Sequence, residues 1–167
     1  MANAIVYGFR PVIKGMGKDC IPKRYPVAAS ATIAIGDPVT LDTAGRVTVA
    51  VDSSSAFLLG VAATSVTSAT VGDPIFVWDD PNMIFEAMVT TGALTNCYTT
   101  RSLAACFDLT GTTGAFYVDA ATSSQYLFKC IGECSKDPVT GRDSAVGTKQ
   151  MKFWKITPAT HVYGTIG

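Results

Sequence analysis

Apolar and polar positions alternate along much of this 167-residue chain in runs too short for helices. In "PVTLDTAGRVTVAV", Val39 and Leu41 alternate before a turn, and Val47, Val49 and Val51 alternate after it. A period of two puts one face of each run toward a core. Asp42 can bond the turn backbone and Gly45 can take positive φ, so the stretch predicts a β-hairpin. The same reading predicts strands near 57–65, 74–78, 83–89, 115–119, 126–134 and 150–156. Within "VGDPIFVWDDPNMIFEAMV", "PIFVW" reads as a strand, "DDPN" as a turn and "MIFEAMV" as the return strand of a second hairpin. Phe85, Ala87 and Val89 would face one side of it, and Ile84, Glu86 and Met88 the other. The one helix candidate is short, "TTRSLAAC" at 99–106.

Turn signals separate these runs at close spacing: "GDP" at 36–38 and 72–74, "TAG" at 43–45, "TGTTG" at 110–114 and "DPVTG" at 137–141. Many short strands between Gly, Pro and Asp turns are the pattern of a sandwich or barrel. The expected fold is all-β: a single β-barrel or β-sandwich domain over 27–156, with an extended N-terminal arm at 1–26, a C-terminal arm at 157–167 and at most one short helix. The arms carry Tyr7, Phe9, Ile13, Val162, Tyr163 and Ile166, a composition that should dock rather than stay solvated. A faint internal echo links "TAGRVTVAVDSSSAFLLGVA" to "TTGAFYVDAATSSQYLFKCIGE". Two similar hairpins within one β-domain account for it more simply than a duplication does.

Composition sharpens the picture. Only two glutamates and seven leucines occur among abundant Thr, Val, Ala and Ser, which starves helices and suits strands. The chain is 48% hydrophobic and 16% charged, against about 25% charged for ordinary soluble domains. So little charge points to surface covered by partners. The formal net charge is zero, which argues against general nucleic-acid binding. Its distribution is uneven: residues 1–24 sum to +4 and residues 25–100 to −6. A basic segment beside an acidic body fits contact between neighbours, and equally a solvated basic segment. The five cysteines are odd in number and "MANAIVYGFR" lacks the form of a signal peptide, so free thiols are expected. No window approaches a membrane span.

Candidate chemistry is sparse. His161 is the single histidine and lies away from any nucleophile elbow, which disfavours a Ser–His–Asp site. Cys130 and Cys134 sit too far apart on a strand to share one small metal site. Asp37 and Asp73, each between glycine and proline, read as turn formers. Asp79, Asp80 and Glu86 lack calcium-loop spacing and read as solvated or facing a basic neighbour. No catalytic residue, cofactor or metal is expected. Trp78 and Trp154 lie in strand-like runs, where burial is the common fate.

Four motifs in order, "YGFRPV" at 7–12, "GDPV" at 36–39, "LLGVA" at 58–62 and "VWDDPNMIFEA" at 77–87, resemble the head decoration, or capsid cement, proteins of tailed bacteriophages. The likeness runs from Ala2 to about Ile156. It departs from the family pattern at Ala87–Met88, where a glutamine is frequent, and in a short 62–71 segment. The resemblance implies a non-enzymatic β-rich virion protein on the outer capsid surface, made in the host bacterial cytoplasm. It also implies a trimer whose partners are the major capsid protein and itself, with no direct contact to nucleic acid or membrane. Tyr7, Phe9, Arg10, Pro11, Val12, Val162 and Tyr163 are then the candidate capsid or subunit contacts. Other classes compatible with the residues are a tail or fibre-attachment module and a carbohydrate-binding β-sandwich.

Overall fold

The computed structural model describes residues 8–13, 21–51, 58–80, 83–88, 106–119, 128–133 and 150–155. Among them there is no helix, and the fold is all-β. The strands are β1 (Arg10–Ile13), β2 (Lys23–Pro26), β3 (Pro38–Leu41), β4 (Val47–Val49), β5 (Gly60–Ala62), β6 (Pro74–Trp78), β7 (Ile84–Met88), β8 (Cys106–Thr112), β9 (Ala115–Asp119), β10 (Phe128–Glu133) and β11 (Gln150–Lys155). They form a six-stranded sheet, β1-β7-β11-β10-β8-β9, and a five-stranded sheet, β2-β6-β5-β3-β4. All the strand pairings are antiparallel.

The hairpin at 38–49 forms as the alternation predicts, with Val39 opposite Val49 and Leu41 opposite Val47. Asp42 Oδ1 accepts the backbone N–H groups of Ala44 (2.8 Å) and Arg46 (2.9 Å), and Gly45 takes φ +75°. These bonds and the Arg46 guanidinium hold the Asp42 carboxyl below its ordinary range. The expected strands near 57–65, 74–78, 83–89, 115–119, 126–134 and 150–156 appear as β5, β6, β7, β9, β10 and β11. Three strands lacked a sequence signal. β1 and β2 lie in the 1–26 segment, whose prolines and basic residues show no period. β8 begins at Cys106, where the helix candidate ends; residues 99–105 lie outside the described residues.

The second expected hairpin is corrected. Both of its strands exist, and Met83 N–H donates to Asp80 C=O (3.2 Å) between them. They do not pair, however. β6 lies between β2 and β5 in the five-stranded sheet, whereas β7 lies between β1 and β11 in the six-stranded one. A turn reverses the chain but does not choose the partner. Here Ile75 and Val77 are buried from β6, and Phe85 and Ala87 from β7, each strand in its own sheet.

The two sheets share one topology. The strands of the five-stranded sheet, numbered in chain order, lie in the order first, fifth, fourth, second, third. The strands β7 to β11 of the other sheet lie in that same order, and β1 is added outside β7. The match reaches detail. The second and third strands form a hairpin in each unit, and its turn glycine has φ +75° at Gly45 and +76° at Gly114. A parallel bridge from Val27 to Val47 links the end of the first strand to the third in one unit. In the other unit, β7 and β9 likewise approach each other. The internal echo in the sequence, 43–62 against 112–133, thus falls not on two hairpins but on the hairpin turn and the third and fourth strands of each five-strand unit.

The core of the five-stranded unit is aliphatic: Val27, Ile33, Val39, Val47, Leu59, Ala62, Ala69, Ile75 and Val77. The largest buried side chains elsewhere are Phe9, Met83, Phe85, Leu109 and Phe116, from the six-stranded sheet and the segments that lead into it, and Leu58, just before β5.

Candidate interaction surface

The four motifs meet at one place. Gly8 packs against Gly36 so closely that a Cβ on Gly8 would lie 2.3 Å from the Gly36 carbonyl oxygen. Phe9 N–H donates to that same oxygen (2.7 Å). Gly36 N–H in turn reaches the Ala62 carbonyl (2.9 Å), and Ala62 N–H reaches Asp37 C=O (2.8 Å). Val61 pairs with Trp78, and a Cβ on Gly60 would lie 2.1 Å from the Trp78 carbonyl oxygen. β1 then pairs with β7, Arg10 opposite Glu86 and Pro11 opposite Phe85. Glycine recurs in these motifs because their backbones touch.

The two "GDP" segments are twin turns. Gly36 and Gly72 each have φ +87°, the value a type II turn demands at its third position. Asp37 Oδ2 accepts Ala34 N–H, and Asp73 Oδ2 accepts Thr70 N–H, both at 2.8 Å. The twins differ in setting. Asp37 is fully buried, and its Oδ1 accepts Gly114 N–H (2.8 Å) from the β8–β9 turn. One carboxylate therefore ties the two sheets together. Burial pushes its pKa above the ordinary aspartate value, while the Ala34 and Gly114 N–H groups pull the other way.

The acids of the middle segment also find partners. Asp79 Oδ2 accepts from Tyr25 Oη (2.6 Å) and from Lys23 Nζ (2.9 Å). Burial first, and then the bond to Asp79, push the Tyr25 phenol up to about 12. The bond to Asp79 likewise raises Lys23. Glu86 stands in register between Arg10 of β1 and Lys152 of β11. Both basic residues are remote from Glu86 along the chain, so this register was not legible in the sequence.

Of the expected contact residues, Phe9 is 1% exposed and belongs to this chain's own core. Arg10 and Pro11 are exposed on β1, and Val12 lies on the same strand. Tyr7, Val162 and Tyr163 lie outside the described residues, as do His161, Cys20, Cys97 and Cys134. Cys106 and Cys130 lie in the adjacent strands β8 and β10. Among the described residues no group of three or more His, Cys, Asp or Glu is placed to hold a metal ion. Exposed apolar side chains are Ile21, Ile35, Val51, Val71 and Phe76. Ile35 and Val71 occupy the same position of the twin turns. No protein-family model matches the chain, and no curated protein matches it.

Proposed function

We propose that this chain is a virion structural protein, a head decoration (capsid cement) protein of a tailed bacteriophage. In this reading it sits as a homotrimer on the outer capsid surface and clamps neighbouring major capsid subunits. The supporting observation is the convergence of the four motifs. Segments separated along the chain by up to 70-odd residues build one continuous junction through Gly8, Gly36, Gly60 and Trp78. Shared residues in four separate segments are what a family would need in order to keep such a junction. Each five-strand unit is read as a small curled barrel, because its first strand returns to its third. Shell reinforcement needs area rather than chemistry, and a charge-poor chain with exposed aliphatic turns suits burial against several neighbours.

The test is co-sedimentation of purified protein with tailed-phage capsids stripped of decoration, scored by capsid resistance to heat. Saturable binding at local three-fold positions, with a raised disruption temperature, is expected. Failure to bind shells of any expanded form, together with retention on a glycan column, would replace this reading with the carbohydrate-binding one.

A further inference from the structure

The matched units differ at one edge. In the six-stranded sheet the outer edge of β7 is covered by β1. In the five-stranded sheet the equivalent edge belongs to β2, and among the described residues no strand pairs with it. β4 meets this side of β2 only at the Val27–Val47 bridge. Running back from Val47, β4 gives way to the 43–45 turn, so it supplies no strand to Lys23, Arg24 or Tyr25.

The hydrogen bonding shows what this edge offers. Phe76 spends both backbone groups on the far side of β6, where its C=O accepts Ala63 N–H (2.8 Å) and its N–H meets Thr64 Oγ1 (3.1 Å). Arg24, directly opposite Phe76, is therefore a non-hydrogen-bonded pair. The bond from Val27 N–H to Asp73 C=O (2.9 Å) fixes the same phase, because bonded and non-bonded pairs alternate in antiparallel ladders. The N–H and C=O of Arg24 thus point outward. Pro22 and Pro26, the other outward positions, have no N–H. The edge offers a short docking point centred on Arg24, and its flanking prolines limit uncontrolled pairing. A depression of about 260 Å³ is lined by Arg24, Tyr25, Pro26 and Gly72.

We propose that the β2 edge is a strand-addition site that binds an extended, acidic and apolar segment of a partner polypeptide antiparallel to Lys23–Tyr25, as β1 binds β7. Charge selects the segment. In β1–β7 the register sets Arg10 against Glu86. At β2 the exposed residues are Lys23 and Arg24, and Arg24 forms no salt bridge among the described residues, so the incoming strand carries the carboxylate. Ile21, 76% exposed, and Phe76, 41% exposed, supply apolar contact beside it. Main-chain bonds provide affinity and the alternating side chains provide selectivity. This inference stands independently of the virion reading.

The probe is an acetylated, amidated hexapeptide of alternating valine and threonine with one central aspartate, titrated into the full-length protein and followed by backbone amide NMR. The Arg24 amide resonance should shift saturably and its hydrogen exchange should slow at least about tenfold, with a Kd near ~1 mM, the scale of about 4 kcal/mol. Arg24→Ala keeps the N–H and should weaken binding a few-fold. Arg24→Pro removes it without touching the β6 ladder and should abolish binding at an unchanged melting temperature. If that variant fails to fold, the same peptide N-methylated at its central amide takes its place and should not bind. The proposal is overturned if the peptide produces no shift at several times that Kd, if the N-methylated form binds equally, or if a lysine version binds as well as the aspartate one. Arg24 protection in the peptide-free protein also overturns it: protection rising with protein concentration names a second copy as the occupant, and protection at all concentrations names this chain itself.

Discussion

At the scale of single residues, the glycines and aspartates of the turns do different work in identical sequence contexts. Asp37→Ala leaves two part-buried N–H groups, those of Ala34 and Gly114, without their acceptor. Each such loss costs about 1–3 kcal/mol, so denaturant unfolding should show a deficit of about 2–6 kcal/mol. Asp73→Ala, in the exposed twin turn, should cost about 1 kcal/mol. The carboxylates also shape acid stability in opposite senses. The Asp37 pKa is raised in the fold, so its contribution is fully present below the unfolded value near 3.8 and is lost as pH rises through the folded pKa. The Asp42 pKa is lowered, so its contribution is present above 3.8 and is lost as pH falls. Urea midpoints measured from pH 3 to 6, on the order of the aspartate range, should show Asp37→Asn removing the first trend and Asp42→Asn the second. Two glycine variants separate contact from conformation. Gly60→Ala drives a Cβ into the Trp78 carbonyl and should cost about 3 kcal/mol. Gly45→Ala meets nothing within 4 Å and should cost only the positive-φ penalty of about 1 kcal/mol. The sequence made both "GDP" motifs legible as turns. It did not distinguish the buried carboxylate from the exposed one, because that difference depends on Gly114 arriving from the other sheet.

At the scale of elements, alternation was legible wherever one strand face met a core, as in β3, β4, β6, β7 and β9. It was silent for β2, which is held by a residue rather than by a pattern. The Asp79 side chain, 10% exposed, receives both Tyr25 and Lys23 and fastens β2 to the end of β6. A spectrophotometric titration should find a tyrosine ionising near 12. Asp79→Asn should lower that value without restoring the ordinary one, since burial is the larger cause. The same substitution should cost about 1–3 kcal/mol in thermal unfolding, as expected for a bond to a charged group. An unchanged tyrosine titration would mean that Asp79 does not hold the phenol in solution. The pairing of β6 and β7 was misread because turn chemistry reports reversal alone. Strand partnership is set by core contacts from residues far away in the chain.

At the scale of the whole molecule, the all-β class was legible from composition and turn spacing, whereas the two matched units were visible only as a faint echo. Topology is conserved by packing geometry, and two aligned hairpins need share little beyond a turn glycine and an alternating face. The candidate junction was half legible: its motifs stood out one by one, and their contacts did not. The N-terminal segment has a structural role that its irregular composition hides. Phe9→Ala should cost about 3–5 kcal/mol, and deletion of residues 2–13 should lower the melting temperature rather than leave the domain intact. A truncated protein as stable as the full chain would separate Phe9 from the core. On the proposed decoration-protein reading, light scattering of the protein at several concentrations should give the mass of a trimer. A monomer at all concentrations would count against the trimer that the proposed function calls for.

The order of synthesis gives the position of β1 a further meaning. Phe9 is bonded to Gly36, which leaves the ribosome soon after it. Arg10 pairs with Glu86, 76 residues further on. At translation rates of about 5–20 residues per second, β1 waits about 4–15 s for β7. Through that interval the Gly36 turn can hold β1 beside the place where β7 will form. The close fit of Gly8 to Gly36 can thus act in time as well as in space, holding β1 in place before β7 exists.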